Sequence, residues 1–344
     1  MTSLSTVRAH NATLRSRLGP GLVAVFAGGT SGIGETTARE LVRNVDAPKV
    51  YIIGRNQTQA NRIIDEFKQI SPNGQYHFIA GDLARLREVD RVCEKLKEKE
   101  SRINLLVLSQ GILRPGGPNY VGEGLDMKMS LHYYSRMRML TNLLPQLRAA
   151  GDSKDNGGLA RVISCLAAGR EFDRLDYDDL SLKHNYGVLP AEGHACTMTS
   201  LALEHLAAKN PQVSFVHKFP GIVRTNILRS LHPVLRYSGD ALMATVGRLF
   251  TVDVTESGER FLYTATSDRY PPKNLAGTVK PEDGEVEIGT TGERGTGAYP
   301  VAWNDKRTMN DKAMKKHREI GGADKVWDHT MEVFDTICVK GQEY

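Results

Sequence analysis

A glycine-rich heptapeptide, Gly28-Gly29-Thr30-Ser31-Gly32-Ile33-Gly34, directly follows the apolar run Leu22–Ala27. Its residue types suit one task, the holding of phosphate groups by main chain. Glycines let the backbone turn tightly and approach a ligand. A helix opening at Ile33 would aim free N–H groups and its positive dipole end at an anion. The next apolar run, Lys49–Ile53, ends in Gly54-Arg55-Asn56. Dinucleotides with a free ribose hydroxyl are commonly held at such a tip by a carboxylate. No carboxylate stands here, and the planar fork of Arg55 suits a 2′-phosphate instead. The two features together predict an NADP(H) site that includes Arg55 and Asn56.

The elements that must position this site follow a steady rhythm. Apolar runs at Leu22–Ala27, Lys49–Ile53, Tyr76–Ala80, Ile103–Leu108, Arg161–Cys165 and Val213–Phe219 read as strands. Between them, Ile33–Asn44, Gln57–Ile70, Arg85–Glu100, Leu125–Ala149 and Glu192–Lys209 read as helices. Continuous apolar strands alternating with amphipathic helices predict a parallel sheet covered on both faces. Right-handed crossovers then give a doubly wound α/β Rossmann fold. One dinucleotide-binding domain over 1–344 is expected: a lead-in helix within 1–20, a core over 20–268, and a C-terminal extension over 269–344. Toward the end of the core Thr255–Thr266 reads as a helix started by Thr255 or Ser257. Residues 270–298 read as a surface loop or insertion, Tyr299–Trp303 as a last edge strand, and Lys312–Phe334 as a helix broken at Gly321-Gly322.

The composition, 40% hydrophobic and 25% charged over 344 residues, is that of a globular chain with a large core. The net charge of +5 is a mild excess spread over mixed stretches, which argues against nucleic acid as a partner. Cys93, Cys165, Cys196 and Cys338 lack metal-ligand spacing and read as reduced thiols, with no metal expected. Neither a signal-type apolar segment nor a membrane-length run is evident, so a cytoplasmic protein without a membrane partner is expected.

These motifs together resemble the short-chain dehydrogenase/reductase family. Gly28, Gly32 and Gly34 match its GxxxGxG motif, with Ala27 in place of the usual preceding threonine. Asp82-Leu83 resembles its adenine-contacting aspartate site, and Ser109-Gln110-Gly111 stands at its Asn-Ala-Gly turn. Pro220-Gly221 with Thr225 resembles its nicotinamide-side Pro-Gly motif. The resemblance covers roughly 20–335 and is nearest to atypical fungal members, often found beside secondary-metabolite genes. It implies a small-molecule substrate, and a homodimer through the long helices unless residues 270–344 cover those faces.

The family's reaction uses a serine after the fifth strand, a Tyr-x-x-x-Lys on the next helix, and a helical asparagine. The tyrosine moves the alcohol proton, and the lysine four residues on lies on the same helix face and lowers its pKa. All four positions are changed here. Counting back from Pro220 puts the pair at Pro190 and His194; aligning Leu201–Ala207 puts it at Glu192 and Cys196. The serine position falls near Leu166, behind Ser164 and Cys165, and the asparagine near His132 or Tyr133. Substitute proton carriers are therefore His132, Tyr133, Ser164, His194 and Tyr186, whereas Glu192, Cys165 and Cys196 read as structural.

Three functions stay open. The first is an NADP(H)-dependent oxidoreductase with an altered relay, acting on an apolar or secondary-metabolite carbonyl or alcohol. The second is a non-redox isomerase or cyclase holding NADP(H) structurally, and the third a non-catalytic cofactor binder. Substrate is expected between Arg114–Gly122, the 169–190 loop and the segment after Gly221. There Ile227, Leu228, Leu231, Val234, Leu235 and Met243 suit either an apolar ligand or helix packing.

Overall fold

In a computed structural model, residues 1–223 and 251–344 are described. Thr225, Ile227, Leu228, Leu231, Val234, Leu235 and Met243 lie outside the described residues. The first half alternates as expected: α1 (Leu4–Leu18), β1 (Val23–Ala27), α2 (Gly32–Asn44), β2 (Lys49–Gly54), α3 (Gln57–Ile70), β3 (Gln75–Ala80), α4 (Leu86–Lys97) and β4 (Leu105–Leu108). Next come α5 (Met127–Met129), a π-helical segment (Ser130–Tyr134) and α6 (Ser135–Gly151), which run on from one another. They are followed by β5 (Arg161–Cys165), α7 (Val188–Lys209) and β6 (Ser214–Lys218). A short parallel pair, β7 (Ile222–Val223) and β8 (Thr251–Val252), precedes α8 (Val254–Thr266), β9 (Ala298–Val301), α9 (Asp311–Glu319) and α10 (Gly322–Phe334).

The main sheet has seven parallel strands in the order β3-β2-β1-β4-β5-β6-β9. This is the doubly wound Rossmann arrangement. Its strand order reverses between β1 and β4, and in such sheets ligands bind outside the carboxyl ends at the reversal. Alternate side chains of each strand feed two cores. Val23, Val25 and Ala27 face the layer of α4, α6, α7 and α10. Ala24 and Phe26 face the layer of α1, α2 and α8. Burial on both faces explains why these strands are apolar throughout rather than alternating.

Several boundaries differ from the sequence expectation for local reasons. The helix expected over Leu125–Ala149 contains the π-helical segment, where Arg136 Nε reaches back to the Leu131 carbonyl at 3.0 Å. π segments of this kind are frequent near functional sites. The start of α8 is fixed by Asp253 rather than by Thr255 or Ser257, because its carboxylate accepts from the Thr255 and Glu256 amides at 2.8 and 3.3 Å. The break at Gly321 is real: its φ of +68° ends α9 and starts α10. The last strand sits at Ala298–Val301 and pairs with β6.

The C-terminal helices lie against the same layer. Tyr133 Oη meets Thr330 Oγ1 at 2.6 Å, and His205 of α7 stacks on Trp327 with ring centroids 5.1 Å apart. On the other side of the sheet a buried ion cluster ties β6, α8 and the turn after β9 together. Asp305 is fully buried, accepts from Lys218 Nζ at 2.7 Å and from Arg260 Nη1 at 2.8 Å, and bonds to Thr264. Lys218 also bonds to Thr264 Oγ1. Removing the anion strands the buried Lys218 and leaves Arg260 with Glu256 alone. We therefore expect Asp305→Asn, which tolerates the same left-handed backbone, to lower stability in urea unfolding by about 3–5 kcal/mol; a loss below about 1 kcal/mol would contradict this account of the cluster.

Candidate active site

The turn after β1 packs tightly against the turn after β4. Gly28 has φ +80°, and a Cβ there would lie 2.7 Å from the Gln110 amide nitrogen. A Cβ on Gly34 would lie 2.5 Å from Ser109 Oγ and 2.7 Å from the Gly28 carbonyl. Ser109 Oγ itself is held by the Ala27 carbonyl at 2.9 Å. The N-terminus of α2 has Ser31 in the cap position, but its hydroxyl makes no capping bond, so the helix-start amides stay free of a side-chain acceptor. Thr30 and Ile33 are half-buried beside Gly32, and Ser31 is exposed.

Arg55 is exposed at the tip of β2 and makes no ion pair or hydrogen bond among the described residues. It is next to Gly54, whose added Cβ would lie 2.9 Å from the Thr30 side chain. Arg55 is thus a neighbour of the glycine turn. Asn56 is different: its side chain accepts from the Gln59 amide at 3.0 Å and caps α3. Asp82 receives the Ala84 amide at 3.3 Å, and Leu83 packs into the core. An uncapped helix start and, among the described residues, an unpaired guanidinium fit a phosphate-bearing dinucleotide.

Below the tips of β4 and β5 lies a polar layer that sequence reading missed. Arg136 is 1% exposed. Its guanidinium donates to the Gln110 carbonyl at 2.5 Å, the Cys165 carbonyl at 2.7 Å and Ser164 Oγ at 2.9 Å. Burial brings its pKa down to about 10, still charged at neutral pH. Ser164 faces His217 across the strand pair. Ser200 Oγ donates to Glu171 at 3.0 Å and lies 2.9 Å from His217 Nδ1, so that ring nitrogen carries the proton. Glu171, Cys196 and His217 offer atoms within 4.8 Å of one another. The remaining nitrogen, His217 Nε2, is buried without a partner, and the ring is pushed down to about 3 by burial and then by Arg136. One signal marked Arg136: it stands three residues after Tyr133 and four before Leu140, on the buried side of the long helix. Glu171 and His217 gave no signal, since only the tertiary fold joins a loop to a strand.

The fold separates the five substitute proton carriers. Tyr133 is buried and turned toward Thr330 of α10. Ser164 is bound by Arg136. His194 has both nitrogens engaged by main chain, with the Leu180 carbonyl and the Asp176 amide each at 3.3 Å, and burial lowers its pKa. It is Cys196, donating to the Ala167 carbonyl at 2.9 Å, that faces the end of β5. Burial raises the pKa of that thiol.

His132 keeps an unpartnered polar atom, and the Tyr186 phenol bonds to Asp126. His132 Nε2 accepts the Ile112 amide at 3.2 Å, so its proton sits on Nδ1, which is buried and unpartnered. Burial, then Arg136 and Lys128, push the ring down to about 3, so it is neutral. Tyr186 is half-buried just before α7, and burial and then the Asp126 carboxylate push its phenol up to about 12. Arg114 opposes that rise, and its Nη1 is buried without a partner. Lys128 is buried with Nζ 3.1 Å from the Val188 carbonyl and 3.9 Å from Glu192.

Known proteins are similar to this chain over nearly its whole length. A family profile described as short chain dehydrogenase matches residues 22–170. An oxidoreductase of Emericella nidulans is 41% identical over 97% of this chain and 98% of its own length. A short-chain dehydrogenase/reductase of Stachybotrys chartarum is 31% identical over 99% of each chain. An NADPH-bound carbonyl reductase from chicken fatty liver shares the fold, with a TM-score of 0.54 over 84% of this chain and 99% of that one at 16% identity. Among the described residues, no helix is long and apolar enough to cross a membrane. Matching along nearly its full length to oxidoreductases of this type, and built on their strand order and glycine turn, the chain belongs to the short-chain dehydrogenase/reductase family.

Proposed function

We propose that this protein is an NADP(H)-dependent oxidoreductase with an altered proton relay, acting on a small apolar or secondary-metabolite carbonyl or alcohol. The observation that carries the cofactor reading is Arg55, an unpaired guanidinium where an NAD site would keep a carboxylate. The main chain of Gly28, Thr30, Ser31, Gly32, Ile33 and Gly34 would hold the pyrophosphate. Arg55, beside Asn56, would hold the 2′-phosphate, and Asp82 with Leu83 would border the adenine. Ser109, Gln110, Gly111, Pro220 and Gly221 would flank the nicotinamide half. When bound, such a cofactor supplies or accepts the hydride at the substrate carbon.

The chain must then handle the proton on the substrate oxygen. A Tyr186 phenol raised to about 12 stays protonated at neutral pH and can still protonate an alkoxide, which is far more basic. It is a poor base for taking a proton from an alcohol. The neutral Nδ1–H of His132 can polarise a carbonyl without giving up its proton, as neutral imidazoles do elsewhere. Both features favour reduction. Large apolar side chains left exposed, Leu113, Tyr120, Phe172, Leu189 and Ile222, fall in the three segments around the strand tips. That clustering supports an apolar substrate. Among the described residues the cation acting on the Tyr186 phenol is Arg114 rather than a lysine, and that departure from the family's pair keeps the non-redox isomerase as the second reading.

The cofactor reading is tested by Arg55→Asp, which should weaken NADPH binding by about tenfold or more while leaving NADH binding within about threefold. Equal losses for both would remove Arg55 from 2′-phosphate recognition. For the relay, Tyr186→Phe should lower kcat for carbonyl reduction by about 10²-fold or more with NADPH affinity retained; undiminished turnover would exclude the phenol. Because the donor must be protonated and its pKa lies far above neutrality, the reduction rate should be flat from about pH 6 to pH 9. A fall across that window would indicate a donor titrating near neutrality.

A further inference from the structure

Among the described residues the charge of Arg136 has no anionic partner. Among the described residues it makes no ion pair, and its partners are the carbonyls of Leu131, Gln110 and Cys165 and the hydroxyl of Ser164. A buried charge needs compensation, and here only dipoles supply it. The neighbouring rings add no charge, since His132 and His217 are both held neutral. The carboxylate of this layer, Glu171, keeps its charge but is held by the Gly169 and Asn310 amides and by Ser200, and makes no ion pair with Arg136. The guanidinium therefore leaves a positive centre, unpaired among the described residues, directly under the tips of β4 and β5. It abuts the Gly111 turn: a Cβ on Gly111 would lie 3.8 Å from Arg136 Nη2.

We propose that Arg136 makes this protein bind the reduced cofactor more tightly than the oxidised one, and so biases its chemistry toward carbonyl reduction. This rests on the cofactor reading above. The oxidised nicotinamide ring carries a positive charge and the reduced ring none. A fixed positive centre beneath the tips of β4 and β5 therefore repels only the oxidised form. In reduction the hydride goes to the carbonyl carbon and a proton to its oxygen, and the cofactor leaves as the form that Arg136 disfavours, which assists product release. Arg136 acts through the field at the floor of the site and is a positioning residue, not a catalytic one.

The test is a calorimetric titration of the whole protein with NADPH, NADP⁺ and 2′-phospho-ADP-ribose, the same nucleotide without its nicotinamide. NADPH should bind about tenfold or more tighter than NADP⁺, or 1.4 kcal/mol. The oxidised ring should add nothing to the binding of the ring-free nucleotide. Arg136→Lys should keep the preference, and Arg136→Gln should bring NADPH and NADP⁺ within about threefold. Equal affinities in the native protein overturn the proposal even if no variant folds, as does a preference unchanged in Arg136→Gln. No binding of any of the three nucleotides removes the cofactor reading itself, and this inference with it.

Discussion

The turn after β1 and the turn after β4 approach so closely that no side chain fits between them. Gly28 sits at φ +80° with its absent Cβ 2.7 Å from the Gln110 amide, and Gly34 presses on Ser109 in the same way. The rest of the site follows from that approach. It opens the reversal point of the sheet, turns the start of α2 outward with free amides, and brings Gln110 and Gly111 over Arg136. Arg55 then projects from the adjoining tip of β2. A side chain at Gly28 would require both a strained backbone and displacement of β4.

Charge is buried in three different ways within this one sheet. Lys218 and Arg260 are neutralised by two carboxylates, Asp305 shared between them and Glu256 on Arg260. Glu171 is held by amides and a hydroxyl. Arg136 is held by carbonyl dipoles and keeps its charge. The first arrangement anchors the C-terminal region to β6, far from the glycine turn's own contacts. The other two line the underside of the strand tips, where the family keeps its proton machinery. Having lost the tyrosine and lysine pair, the chain retains a positive centre there on a different element.

The strands and the doubly wound arrangement were legible because each strand is apolar on both faces and each crossover carries one amphipathic helix. The glycine turn was legible because its spacing is local. The proton carriers were not. His194 stands at an expected register position, yet the ring turns to the 176–180 main chain, a direction set by how the loop wraps α7. Tyr133 follows His132 directly but points to α10, because neighbouring residues in a helix face different sides. Arg136, Glu171, Ser200 and His217 come from a helix, a loop, a helix and a strand, and only packing brings them together. The helix starts moved for an equally local reason: Asp253 outcompetes Thr255 and Ser257 because its carboxylate reaches two amides.

The central claim is that this site passes a hydride between NADP(H) and a carbon of its substrate. It is tested most directly by label transfer. The protein would be incubated with NADPH deuterated at its transferable position and a panel of apolar ketones and aldehydes, with products read by mass spectrometry. The account predicts one deuterium at the carbinol carbon of each product, with one cofactor oxidised per product formed. Products formed without label and without cofactor consumption would contradict it and give the site to non-redox chemistry; bound cofactor with no product from any carbonyl would contradict it as well.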